Sequence, residues 1–192
     1  AVLTTDRDGN PNRSYSFEQN LFHRVSVSPV QKLALEKGSF TISMVTKVDR
    51  IPDSITTADG SIHSRVNFIA GLSETEGTLF EMGIKFFPEK RLDTSFHIGN
   101  WPQVSSLYWR TNYNFQYQHI AVVASKNPNS LQLYVNGVDR AESNWNEAIS
   151  GDINTWNIGY SFDDAVNGKW KLDELRIYNR ALSESEIQQI IG

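Results

Sequence analysis

Trp170-Lys171-Leu172-Asp173-Glu174-Leu175-Arg176-Ile177-Tyr178-Asn179-Arg180-Ala181-Leu182-Ser183 reads as a strand that runs into the start of a helix. Trp170 and Leu172 share one parity, while Leu175 and Ile177 share the other. A period of two therefore holds on each side of Asp173-Glu174 but not across it. A β-bulge at that point keeps both apolar pairs on the core side, because a one-residue slip turns a strand inside out. Beyond the strand, Ser183 caps a helix and Glu186, three residues on, completes a capping box. Ile187, Ile190 and Ile191 form the helix's apolar stripe.

Working outward, the chain is mostly short alternating segments broken by turn residues, the pattern of antiparallel strands. Between Ser39 and Val48, Phe40, Ile42 and Met44 fall on one face and Thr41, Ser43, Val45 and Lys47 on the other. Val66, Phe68 and Ala70 alternate, as do Leu131, Leu133 and Val135. The apolar run from His119 to Ala124 meets Asn127-Pro128-Asn129-Ser130, a loop that returns the chain antiparallel into Leu131–Val135. Asn136-Gly137 follows, a pair suited to the positive φ angles of a type I′ hairpin turn, and Asn167-Gly168 repeats that signal before Lys169–Tyr178. Many such strands with one terminal helix predict an all-β fold, a two-sheet antiparallel β-sandwich with a short C-terminal helix. Trp156 and Trp170 sit in clean strand patterns and are expected in its core.

A length of 192 residues fits a single domain, 1–192, large enough to fold without disulfides. Cysteine is absent, which removes disulfide frameworks, Cys-ligated zinc and Cys nucleophiles. A net charge of -4 without basic runs argues against nucleic acid as a partner. The longest apolar run, Ile120 to Ala124, is far short of the roughly 20 residues needed to span a bilayer, so no membrane insertion is expected. The chain opens at Ala1 with neither Met nor an export-signal pattern, as expected of a mature or excised piece. Neither a Gly-rich phosphate loop, nor H-E-x-x-H, nor G-x-S-x-G occurs.

The stretch from Asp49 to Asn114 reads as less regular, with Pro52, Pro88, Pro102, His63 and His97, and is expected to supply loops or an open face. It holds the candidate sugar site. Trp101, Tyr108, Trp109 and Tyr113 offer rings for the apolar faces of a sugar, and Arg110 and Asn112 offer polar anchors. Trp145, flanked by Asn144 and Asn146, joins that set. The four His show no ligand spacing and read as structural.

Carboxylates are the other candidates. A retaining glycosidase needs two about 5 Å apart. Glu142-Ser143-Asn144-Trp145-Asn146-Glu147 has Asn where a central acid would stand, and Asp173-Glu174 point to opposite faces of their strand. No catalytic residue is assigned on this basis. Glycan cleavage would have to recruit Glu81, Glu89, Asp93, Glu142, Glu147 and Glu174 into one cleft. Asp6-Arg7-Asp8-Gly9-Asn10 has the look of a calcium loop. An EF-hand beginning at Asp6 would place Pro11 where Gly is needed and Phe17 where Glu is needed. Asp6, Asp8, Asp163 and Asp164 are therefore the calcium candidates, with a polar turn as the plainer reading, and no cofactor is required.

Three blocks resemble the laminin-G-like jelly-roll domains of the concanavalin A-like lectin/glucanase superfamily. They are the closing strand and helix quoted above, the pair Tyr117–Val123 and Leu131–Gly137, and Asp6 through Asn12 to Phe17. The resemblance implies a concanavalin A-like jelly roll whose members include sugar-binding modules, adhesin domains, calcium-dependent binders and some glycan-cleaving enzymes. It also implies an extracellular or cell-surface setting alongside other domains of a parent protein. The expected function is a non-catalytic module that binds a glycan or polysaccharide. The alternatives are a glycoside hydrolase or lyase on the same sandwich, or an interaction or spacer domain of an adhesin.

Overall fold

Trp170 is fully buried, with the Phe17 ring stacked on it at 4.3 Å between centroids and Phe68 tilted against it at 4.9 Å. These rings come from two sheets packed face to face. The computed structural model describes residues 1–18, 25–28, 33–34, 38–50, 55–56, 62–73, 77–86, 92–99, 105–111, 115–145, 152–159 and 168–191. The first sheet runs β1 (Val2–Thr4), β2 (Ser14–Phe17), β16 (Lys169–Tyr178), β5 (Phe40–Arg50), β11 (Gln118–Lys126), β12 (Asn129–Val135) and β13 (Val138–Ser143). The second runs β10 (Ser105–Thr111), β9 (Leu92–Ile98), β8 (Gly77–Phe86), β7 (Ile62–Ser73), β15 (Thr155–Ile158) and β3 (Val25–Val27), with β6 (Ile55–Thr56) also on β7. β4 (Leu33–Ala34) and β14 (Asp152–Ile153) form a separate ladder, and α1 (Glu184–Ile190) is the helix. The described pairings are antiparallel, and the fold is the expected two-sheet sandwich.

The closing segment folds as its parity requires. β16 shifts register on β5 between Asp173 and Leu175, with Glu174 at φ 47 as the extra residue. Trp170 and Leu172 then face Val48 and Thr46 within the core, and Leu175, opposite Met44, packs against it. Ile177, opposite Ile42, shares that side by register but is exposed, so the second apolar pair is buried only in its first member. The Ser183 side chain accepts from the Glu186 amide while Glu186 accepts from the Ser183 amide at 2.9 Å. Asn136 and Gly137 turn β12 into β13 at φ 51 and 75. Asn127 and Pro128 alone turn β11 onto β12; Asn129 and Ser130, expected in that loop, already pair with Lys126 and Ser125.

β5 is buried on both faces. Phe40, Ile42 and Met44 enter the main core, yet Thr41, Ser43 and Val45 on the other face are buried too. Beside it, Leu182, just ahead of α1, and Ile187 within α1 lie over Ala121, Val123 and Tyr134 to form a second small core. Thr41 ties this cover down, donating to the Arg180 carbonyl at 2.9 Å and accepting from the Leu182 amide at 3.0 Å.

Of the two places expected for the stretch 49–114, loops or an open face, its described residues take the second: they supply β7, β8, β9 and β10, the bulk of the second sheet. Its alternation is masked by bulges between Asn67 and Ile69 and between Gly71 and Leu72. Polar residues on the outward face complete the disguise: in β9, Asp93, Ser95 and His97 alternate with Thr94, Phe96 and Ile98.

His119 is structural, as read. Its Nε2 lies 2.8 Å from Ser43 Oγ, and its amide donates to Asn136 Oδ1 at 2.9 Å. Burial, with Arg176 and Arg7 adding positive charge nearby, lowers its pKa from 6.5 to about 4. The unfolded chain thus takes up a proton that the folded chain refuses. The stability this contributes is present above pH 6.5 and is lost as pH falls through about 4. Urea unfolding between those values is expected to show a loss on the order of 2–3 kcal/mol, and His119→Gln is expected to flatten it.

Candidate functional site

β10 is the outermost strand of the second sheet, and its alternation sorts its residues into two jobs. Leu107 and Trp109 face inward, Leu107 within the core and Trp109 packed against it. Ser106, Tyr108 and Arg110 face outward. Register places them in transverse rows. Ser106 stands opposite His97, which stands opposite Glu81; Tyr108 stands opposite Ser95, which stands opposite Gly83. His97 Nδ1 and Ser106 Oγ are 2.8 Å apart, and the His97 ring meets Tyr108 edge-on at 5.3 Å and 75°. Tyr108 is 50% exposed, whereas its neighbour Ser95 is only 5% exposed. The result is an open aromatic ring, steadied by an imidazole, beside a row of hydroxyl, imidazole and carboxylate groups. Such an arrangement can stack a sugar face and hydrogen-bond its hydroxyls.

The other ring on β10 is used differently. β12 and β13 shift register between Leu133 and Tyr134, leaving Arg140 as the extra residue of a bulge. That bulge aims the Arg140 guanidinium over Trp109, 5.2 Å from the ring centroid, across the seam where β13 packs on β10. With core on one side and a cation on its ring, Trp109 is a clasp between the sheets and not the stacking platform expected of it.

Trp145 also departs from expectation. It is 3% exposed, meets Phe40 edge-on at 5.7 Å, and carries Lys126 Nζ 4.5 Å from its ring. It belongs to the core and offers no surface to a ligand. Trp101, Asn112 and Tyr113 lie outside the described residues, as do Asp163 and Asp164. Asp6 caps its own turn: Oδ1 accepts from the Asp8 and Asn10 amides at 2.9 and 2.8 Å, and Oδ2 accepts from the Asn10 side chain at 3.0 Å. Asp8 lies 3.9 Å from Arg7. Among the described residues no three His, Asp or Glu are grouped to hold a metal ion.

The carboxylates considered for catalysis are dispersed. Glu81 shares a row with His97, whereas Asp93 lies four residues along β9, about 13 Å away at backbone level. That exceeds the roughly 5–9.5 Å used by either class of glycosidase. Glu142 is on β13 and Glu174 is in the β16 bulge, both in the first sheet; Glu89 and Glu147 lie outside the described residues. Elsewhere, a hollow of about 450 Å³ lies over β1, β2 and β16, lined by Val2, Thr4, Ser16 and Lys171 among others. Lys169 is paired there with Glu18 at 3.0 Å.

The chain belongs to the concanavalin A-like lectin/glucanases superfamily, through a laminin-G family model that matches residues 23–188. No curated protein matches it. Among solved structures it is similar to the binding domain of Paraclostridial Mosquitocidal Protein 1, at 15% identity and a TM-score of 0.73, over 98% of this chain and 44% of that one. It is similar to the botulinum neurotoxin serotype D ligand binding domain in complex with N-acetylneuraminic acid, at 12% identity and 0.69, over 94% and 42%. The heptameric SAP-like pentraxin from Limulus polyphemus gives 15% and 0.65, over 93% and 81%. The chain thus spans less than half the length of the two toxin chains, and at these identities what is shared is the fold.

His97, Ser95 and Ser106 were not singled out in the sequence, although the period of two along β9 would have placed the first two on one face. The assignment of roles is checked by substitution. Trp145→Ala is expected to cost about 3–5 kcal/mol in urea unfolding, whereas Tyr108→Ala is expected to cost less than about 1 kcal/mol.

Proposed function

We propose that this chain is a non-catalytic carbohydrate-binding, lectin-like module that holds a glycan on the outward face of β8, β9 and β10. Tyr108 stacks on a sugar ring, and His97, Ser106 and Glu81 hydrogen-bond its hydroxyls. The carrying observation is the half-exposed Tyr108 ring, set edge-on by His97 at 5.3 Å beside that polar row. A similar fold in complex with N-acetylneuraminic acid supports the reading. The proposal includes an extracellular or cell-surface setting, in a longer protein, and binding without a cofactor. Among the described residues no helix is long and apolar enough to cross a membrane.

The test is a glycan array probed with the whole chain, in calcium and in EDTA. Reproducible hits retained in EDTA are expected, and calcium-dependent hits would return a metal to the site. Burying one face of a tyrosine and stacking it is worth about 1.5–3 kcal/mol, so Tyr108→Ala should weaken any hit at least about tenfold while melting within a few degrees of the parent. A blank array in both lanes would sink the proposal in favour of a spacer or protein-interaction domain.

A further inference from the structure

α1 covers part of the first sheet's outward face, and its two ends are held by different chemistry. At the near end, Thr41 donates to the Arg180 carbonyl and accepts from the Leu182 amide, and Ser183 and Glu186 form the capping box. Arg180 donates to both Glu186 carboxylate oxygens, at 2.9 and 2.7 Å, and those bonds lead in lowering the Glu186 pKa to about 2. This end therefore keeps its charges in moderate acid.

The far end has no basic residue in its own last turn. Its carbonyls are met from elsewhere: Arg7 donates to Ile191 at 3.0 Å, and Arg176 of β16 donates to Ile190 at 3.3 Å. Two cations thus stand at the negative end of the helix. The Glu174 carboxylate reaches both, 2.9 Å from Arg176 and 3.9 Å from Arg7, and Asp173 accepts the Arg7 amide at 3.2 Å.

His119 of β11 lies under this lock. Its hydrogen-bond partner Ser43 stands opposite Arg176 in the sheet. Its backbone is bonded to Asn136, and the neighbouring Gly137 lies so close to Ile191 that an added Cβ would meet that side chain at 2.6 Å. The titratable and charged groups around the ring are Asp173, Glu174 and Arg176 from β16, Arg7 from the N-terminal turn and Tyr134 from β12. β5 presents Ser43 and Val45 there, and its Lys47, further along, is paired with Asp49 at 3.2 Å. The ring is 4% exposed and its Nδ1 has no partner. A proton taken up here would set a third cation, with an unsatisfied N–H, beneath two guanidinium groups whose carboxylates are already engaged.

We propose that α1 is a lid, hinged at Thr41 and locked at Ile190–Ile191 by Arg7 and Arg176, and that acid opens the locked end by charging His119 beneath it. Opening uncovers Ala121, Val123 and Tyr134, an apolar patch on the sheet opposite the proposed sugar site. The device stands independently of what the sugar site binds. Freed into water the imidazole takes its proton near pH 6.5, whereas in place it does so near 4. The opening equilibrium therefore gains on the order of a hundredfold between pH 7 and pH 4.

Hydrogen exchange of the whole chain, corrected for the intrinsic effect of pH, reads the lid from about pH 7 to about pH 3.5. Amides of 184–191 and of the turn at 6–10 are expected to lose about a hundredfold in protection by pH 4, while those of β7, β8 and β9 keep theirs. His119→Gln should remove most of that loss, and Glu174→Gln should move it to higher pH by weakening the lock. Histidine NMR adds a check that needs no variant: the His119 imidazole should titrate over the same range in which the lid opens. Protection lost together in the lid and in β7–β9 would overturn the proposal, since the whole chain would then be unfolding. Opening left unchanged in His119→Gln would overturn it as well, and so would an imidazole that titrates while the lid stays protected. Should His119→Gln fail to fold, the imidazole titration decides.

Discussion

The stack of Phe17 on Trp170, with Phe68 leaning in from the opposite sheet, sets the spacing and alignment of the sandwich at one end. Trp170 can take that place only if β16 presents it inward, and the same strand must present Leu175 inward five residues later. The two demands have opposite parity. The bulge at Glu174 reconciles them, at the cost of a residue held at positive φ. Its other consequence is outward: Arg7 donates its amide to Asp173 at 3.2 Å and its guanidinium lies 3.9 Å from the Glu174 carboxylate, so the N-terminal turn is drawn onto the bulged strand.

At the opposite seam the sandwich is held by a second bulge. Arg140 is thrown out of the β12–β13 ladder and over Trp109, joining the outer strands of the two sheets. Phe80 meets Phe40, Phe96 and Trp156 in the core, which anchors β8 and β9, the strands beside β10, on the opposite sheet. An edge strand so anchored on its inward residues is a stiff support for its outward ones. Tyr108 thereby gains a defined orientation while keeping half its surface open, the preorganisation that makes a small stacking contact worth having.

Much of the fold was legible in the residues. The parity slip in Trp170–Ile177, the Asn136-Gly137 turn and the Ser183–Glu186 capping box are local signals, and local geometry follows from them. The second sheet was harder to read because its strands violate simple alternation twice in β7 and carry polar residues outward, so the sequence there mimics loop. The site was half legible. Tyr108 and Arg110 were found by residue type, but type alone cannot tell an exposed ring from a clasped one. Trp109 differs from Tyr108 by one position in a strand, and Trp145 by the packing of Phe40, and neither distinction exists before the sheets are assembled. His97 joins the site only through register, which sets it opposite Ser106 and edge-on to Tyr108.

The central claim is that the outward face of β8–β10 is where a ligand sits, and amide chemical-shift mapping of the labelled chain, titrated with a bound oligosaccharide, tests it most directly. The account predicts perturbations gathered at Glu81, Gly83, Ser95, His97, Ser106, Tyr108 and Arg110, with β5 and β11 unmoved. Perturbations confined to the hollow around Thr4, Ser16 and Lys171, or to the turn carrying Phe115, would contradict it.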